Sequence, residues 1–214
     1  MRIALFGAPG VGKGSQAALL NENESLKHIS TGIILRKAIA DDSDVGREAK
    51  RYMESGALVP GSLVRKLAEE AISNSHFDQF VLDGYPRTIE QAEWLTEFLE
   101  TNNAPLLAVV FLSVPDDVIV NRISNRRVNV ETGENFHLEF KPPPSDIDPS
   151  LIVQRDDDRP EAILNRLLVY HEETRPVEDY FRERDLLLSV DGVGSFQEVH
   201  DRVTGALKEL QAAL

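Results

Sequence analysis

The chain has 214 residues, no cysteine and a formal net charge of −13. The charge argues against a nucleic-acid polymer as partner, because a phosphate backbone needs a basic surface. The missing thiols exclude disulfides and thiolate-bound zinc or iron–sulfur centres, while 42% hydrophobic residues suffice for one main domain with small insertions.

Arg2–Phe6 reads as a first strand and Lys13–Asn23 as a first helix. Helical patterns follow over Thr31–Ala40, Gly46–Ser55 and Gly61–Asn74, then a short buried strand at Phe80–Leu82 that ends at Asp83-Gly84. Ile89–Thr101 is a helix with Thr88 as N-cap and Gln91 three residues on. Leu106–Leu112, apolar without alternation, is expected as a central parallel strand. Asp116–Ser124 is a helix opened by Pro115. The rhythm breaks from Asn125 to Asp158, where Thr132-Gly133 is a hairpin turn between Arg127–Val130 and Asn135–Phe140. A helix runs from Pro160 to about Thr174, with Pro176 kinking or restarting it. Leu186–Val190 is the last strand, and Phe196, Val199, Val203, Leu207 and Leu210 mark the closing helix. Alternating strands and helices imply an α/β fold with a parallel sheet covered on both faces, from which residues 30–59 and 125–158 project as two flaps. No apolar run reaches the length of a membrane span, and Ile3 to Phe6 is too short for a leader, so a cytoplasmic protein is expected.

Gly7-Ala8-Pro9-Gly10-Val11-Gly12-Lys13-Gly14-Ser15 carries the strongest signal. It sits between a strand and a helix, where glycine-rich backbone turns its N–H groups inward and the helix N-terminus adds positive potential. Lys13 reaches terminal phosphates as a mobile charge. The spacing fits the P-loop pattern G-x-x-x-x-G-K, but Gly14 follows the lysine and the hydroxyl comes one place later, at Ser15.

Phosphoryl transfer needs positioning and charge neutralisation, and arginine supplies both because it stays charged and grips phosphate with two prongs. Arg36 follows Ser30-Thr31-Gly32. Arg87 follows Asp83-Gly84-Tyr85-Pro86 at the carboxyl end of a strand, where ligands bind in such sheets. Arg122 and Arg126 share a helix face, Arg155 ends the second flap and Arg166 lies on the helix beyond it. Asp83 is placed to orient a magnesium ion through water. His28, His137 and His171 are isolated, and Trp94 reads as packing.

These segments together resemble the adenylate kinases with a full-size lid, essentially end to end. The resemblance rests on the glycine-rich loop, Ser30-Thr31-Gly32 with Arg36, Asp83 to Thr88, Asn125-Arg126-Arg127, and Arg155 with Asp157-Asp158. It implies a three-layer P-loop NTPase fold and the reaction ATP + AMP = 2 ADP with magnesium. The core would be residues 1–29, 60–124 and 159–214, the AMP-binding flap 30–59 and the lid 125–158. Gly10, Val11, Gly12, Lys13, Gly14 and Ser15 would cradle ATP phosphates. Asn135, Phe136 and Gly194 would flank the ATP adenine. Thr31, Arg36, Ala57, Leu58, Val59, Gly84, Tyr85, Pro86, Arg87 and Gln91 would hold AMP, Gln91 reading the base. Arg122, Arg126, Arg155 and Arg166 would surround the transferred group, with Lys13 and Arg87. A cytoplasmic monomer is implied, without nucleic-acid or membrane partner.

The chain also departs from that family. Ile33 stands where an aspartate usually helps order magnesium-bound water, and Glu134 replaces a lid arginine. With no cysteine a structural zinc is not expected, and the polar network of zinc-free lids is matched by Asn129 and Thr132. Alternatives are a UMP/CMP kinase, against which stand the long lid and Thr88, a GTP-using relative, a GTPase switch, against which stands the lack of an Asn-Lys-x-Asp segment, and a catalytically dead binding protein, against which stand Lys13 and the arginines.

Overall fold

Strand β1 (Arg2–Phe6) alternates its side chains between two apolar layers, Ile3 and Leu5 on one face and Ala4 and Phe6 on the other, all nearly inaccessible to solvent. A strand buried on both sides belongs in the middle of a parallel sheet covered by helices. The computed structural model describes residues 1–213 and shows that arrangement. Strands β2 (Lys27–Ser30), β3 (Phe80–Asp83), β4 (Ala108–Ser113) and β8 (Leu187–Asp191) join β1 in the order β2-β3-β1-β4-β8, every pairing parallel. On the Ile3 face pack α1 (Lys13–Glu24), α6 (Asp116–Ser124), α7 (Pro160–Val169) and α9 (Phe196–Ala213). Helices α4 (Gly61–Ser73), α5 (Ile89–Thr101) and α8 (Pro176–Arg182) cover the other. The result is the three-layer α/β fold expected of a P-loop NTPase.

Helices α2 (Thr31–Ala40) and α3 (Asp44–Ser55) follow β2 and pack on each other. A second sheet of three antiparallel strands, in the order β6-β5-β7, is built from β5 (Arg126–Asn129), β6 (Asn135–His137) and β7 (Ile152–Val153).

Two strands lie outside the sequence expectation. β2 spans four residues at the sheet edge, and only Ile29 and Ser30 of it are buried, so it has no readable period. β7 is two residues long. The expected strand at Asn135–Phe140 stops at His137, because the backbone N–H groups of Glu139 and Phe140 turn back to His137 Nδ1, each at 3.2 Å. The break expected near Pro176 is a single π-helical segment, Tyr170–Thr174, between α7 and α8.

Candidate active site

The carboxyl ends of β1, β2 and β3 lie side by side, since the register sets Leu5 and Ser30 opposite Asp83. Three loops therefore open at one place: the glycine-rich loop, Ser30-Thr31, and Gly84 to Arg87. The site lies where β1 sits between neighbours whose connections run in opposite directions.

The glycine-rich loop is shaped for an anion. Gly7, Gly10 and Gly12 have φ of 135°, 83° and 107°, which L side chains rarely adopt, and a Cβ on Gly10 would strike the Ile123 side chain of α6. Helix α1 starts at Gly12 with no side-chain cap and no acid in its first turn, whereas Ser30, Ser43 and Thr88 cap α2, α3 and α5. The free N–H groups of α1 thus face the cleft. Lys13 lies at its floor, with Nζ donating to Gly7 O (2.7 Å) and Ala8 O (2.8 Å). Burial pushes its pKa down to about 7, with Asp83 opposing and Arg87 adding to the shift. Asp83 receives Ser30 Oγ at 3.0 Å and lies 3.4 Å from His28 Nε2. Burial favours its neutral form, but the His28 hydrogen bond and the Lys13 charge outweigh that and hold its pKa below the ordinary value.

The main cleft, of about 1360 Å³, is lined by Gly10 to Ser15, Asp83, Arg122, Asn135, Phe136 and Gly194. A smaller recess of about 80 Å³ opens beside it, lined by Thr31, Ala57, Leu58, Val59 and Gln91. Arg36, Gly84, Arg87 and Arg166 line both. In the recess Thr31 Oγ1 and Arg87 Nε both donate to Gly84 O, at 3.0 and 2.9 Å. Gln91 is buried, and its Oε1 accepts the Arg87 backbone N–H at 2.8 Å. Pro86 lines the main cleft, but the Tyr85 side chain is 2% exposed, packs in the core and lines neither space.

Arg126 and Arg155 line the main cleft beside the three arginines that border both spaces, Arg36, Arg87 and Arg166. Asp158, wholly inaccessible, takes Arg126 through both carboxylate oxygens and Arg166 Nη1 at 3.4 Å, and Asp157 takes Arg166 at 3.0 Å. Arg36 makes no hydrogen bond among the described residues, and Arg155 binds Asn135 Oδ1 at 2.6 Å while its buried Nε has no partner. Burial depresses the pKa of Arg155 to about 9, and the Arg126 and Arg36 charges push the same way. Burial also lowers those of Arg36, Arg87 and Arg166. Cations so crowded and desolvated are stabilised by a bound polyanion.

On the far side Arg122 donates to Val11 O (3.3 Å), Gly192 O (3.1 Å) and Gly194 O (3.4 Å). Phe136 is buried beneath the Lys141 ammonium, 5.3 Å from the ring centroid. Glu134 lies outside the cleft lining and pairs with Lys141 at 2.7 Å, so its charge is neutralised locally. Asn129 Oδ1 accepts the N–H groups of Glu131 and Thr132 and closes the turn between β5 and β6. Sequence reasoning assigned no role to Asp157, Asp158 or His28. An acidic pair beside an arginine-rich segment was the available signal for the aspartates, and none marked His28, whose contact depends on the unforeseen β2.

The parallel sheet, the uncapped helix behind a glycine loop and the arginine-lined junction of two pockets define a P-loop nucleotide phosphotransferase. The family model described as adenylate kinase matches residues 5–186. The chain is 56% identical to the adenylate kinase of Salinibacter ruber, over 99% of this chain and 100% of that one. It is 39% identical to those of Clostridium tetani, over 97% and 98%, and Methanothrix thermoacetophila, over 99% and 100%. The chain belongs to the adenylate kinase family.

Proposed function

We propose that the two spaces hold the two substrates of reversible phosphoryl transfer, ATP + AMP = 2 ADP, with ATP on the phosphate loop and AMP in the Gln91 recess. The carrying observation is that Arg36, Arg87 and Arg166 border both spaces. An AMP phosphate oxygen attacks the γ-phosphorus of ATP, the bond to the β–γ bridging oxygen breaks, and each side leaves as ADP. Lys13 and the α1 N-terminus hold the donor phosphates. Arg36 and Arg87 hold the acceptor phosphate, and Arg122, Arg126, Arg155 and Arg166 neutralise charge on the group in flight. Residues 30–59 act as the flap over AMP and 125–158 as the lid over ATP, their closure excluding water that would otherwise accept the phosphoryl group. Free movement of both suits a cytoplasmic monomer, and no helix among the described residues is long and apolar enough to cross a membrane.

The orientation of Gln91 supports adenine as acceptor base. Its Oε1 is engaged by the Arg87 N–H, so Nε2 is the atom left to face a ligand. Adenine N1 accepts from that amide, whereas hypoxanthine and guanine carry a hydrogen on N1 and would set donor against donor. AMP is expected to exceed IMP by about a hundredfold or more in kcat/KM. Parallel kinetics with the two acceptors check this, and equal rates would remove Gln91 as the base reader.

The donor set fits a magnesium–nucleotide complex. No cluster of three or more potential metal-binding side chains occurs among the described residues, and a magnesium ion brought by a nucleotide takes its ligands mainly from phosphates and water. Asp83, ionised and with Oδ2 taken up by Ser30 and His28, has its other oxygen available to metal-bound water. Bound magnesium would supply positive charge that neutralises the donor phosphates, with Asp83 placed to orient its water. Ile33 lines the same cleft and is 52% exposed. Ile33→Asp is expected to lower the magnesium concentration giving half-maximal activity at fixed ATP, and an unchanged titration would show that this position does not face the ion.

A further inference from the structure

The wall of the donor pocket is the loop between β8 and α9, and its carbonyl groups are held from three sides. Arg122 on α6 takes Gly192 O and Gly194 O while also reaching Val11 O in the phosphate loop. Arg202 on α9 takes Val193 O at 2.8 Å. The third grip is Gln16, whose Nε2 donates at 3.0 Å to the carbonyl of Phe196, the residue that ends the loop and begins α9, across 180 residues of chain. Gln16 follows Ser15 directly on α1, so it is fixed to the helix whose N-terminus faces the donor phosphates.

We propose that Gln16 is a positioning residue that sets the distance between the phosphate loop and the wall against which the donor base rests. This rests on the assignment of the main cleft to ATP. Gln16 is 2% exposed, and its Oε1 has no protein partner. An unpaired buried acceptor costs folding free energy, so an apolar side chain of similar size would serve stability as well or better. What such a side chain lacks is the directional bond to Phe196 O. That bond joins two segments meeting the same ligand at opposite ends, one at its phosphates and the other at its base. Loss of the bond frees the wall to shift relative to the phosphates, and ATP must then restore the geometry on binding. AMP meets neither segment.

Gln16→Met keeps the length and removes the donor, and Gln16→Leu provides a second apolar replacement should the first misfold. Steady-state kinetics with each substrate varied in turn are expected to show KM for ATP raised about fivefold to tenfold. KM for AMP, kcat at saturating ATP and the melting temperature of the free protein are expected to stay within about twofold or about 2 °C of the wild type. An unchanged KM for ATP overturns the proposal, as does a parallel rise in both KM values with a fall in melting temperature, which marks a structural role. Hydrogen exchange of the wild type with ATP alone separates this failure from failure of the donor assignment. Protection over residues 191–196 on adding ATP upholds that assignment whichever way the variants behave, and its absence removes the basis of both.

Discussion

Lys13→Met is expected to lower kcat by about a thousandfold or more while leaving the fold intact. The ammonium is the cation nearest the floor of the phosphate loop, and its two present partners are that loop's own carbonyl groups. Bound phosphates are expected to displace those contacts, which would free Lys13 to follow the transferring group. The loss falls on the chemical step, and it is measured by steady-state turnover together with circular dichroism to verify folding. Near-normal turnover in a folded variant would contradict the role.

The same residue gives a stability prediction of opposite sign. Burial lowers the folded-state pKa of Lys13 to about 7, whereas an unfolded lysine titrates near 10.5. Between these values the unfolded chain binds the proton and the folded chain does not, so this group's contribution to stability rises with pH through that window. At and below about pH 7 the folded protein carries the buried charge at full cost. Lys13→Met is therefore expected to melt at or above the wild-type temperature at pH 7, with the gap narrowing toward pH 10. For the same reason apparent ATP affinity is expected to fall as pH rises above about 7, since phosphate binds the protonated amine. A gap that widens with pH would refute the assignment of the shift to burial.

Asp158→Asn is the second change with a large expected effect. The side chain is wholly buried and holds Arg126 through both oxygens and Arg166 through one, while Gln154 Nε2 takes its carbonyl at 3.0 Å. Asparagine keeps the shape but removes the charge that opposes two buried guanidinium groups beside Arg36 and Arg155. Breaking a buried ion pair by neutralising one partner costs about 3–5 kcal/mol. For a chain of this size that corresponds to a fall in melting temperature on the order of 10 °C. Catalysis suffers as well, because the arginines lose the anchor that aims them at the junction of the two pockets. Calorimetry with and without nucleotide tests this: ATP and AMP bring anions to the freed arginines, so the deficit is expected to shrink when both are present. An unchanged melting temperature would contradict the account.

How much of this was legible in the sequence depends on the residue. The shape of the glycine-rich loop was legible, since a strand, a glycine turn and an uncapped helix follow from a local pattern. The N-cap role of Thr88 was local in the same way. The arginines could be chosen but not arranged: Arg36 on α2, Arg126 on β5 and Arg166 on α7 come together from three separate parts of the chain, and no spacing encodes that. β2 escaped notice because an edge strand of four residues carries too few alternations, and with it went the contact of His28 and Ser30 with Asp83. Asp158 could be quoted as part of a motif, but its role as anchor for two arginines depends on their arrival from β5 and α7, Arg126 lying at the start of that strand and not on the helix face expected with Arg122. The surroundings of Glu134 were illegible for a related reason, since its charge is paired with Lys141, seven residues on across a turn.

The most direct test of the central claim is the stoichiometry of the reaction with purified protein, MgATP and AMP, following all three nucleotides by chromatography. The account predicts that one ATP and one AMP disappear together for every two ADP formed, that the same equilibrium is reached from ADP alone, and that no inorganic phosphate accumulates. ATP consumed without AMP, or phosphate released in proportion to ATP, would mean that the two pockets do not exchange a phosphoryl group and would contradict it.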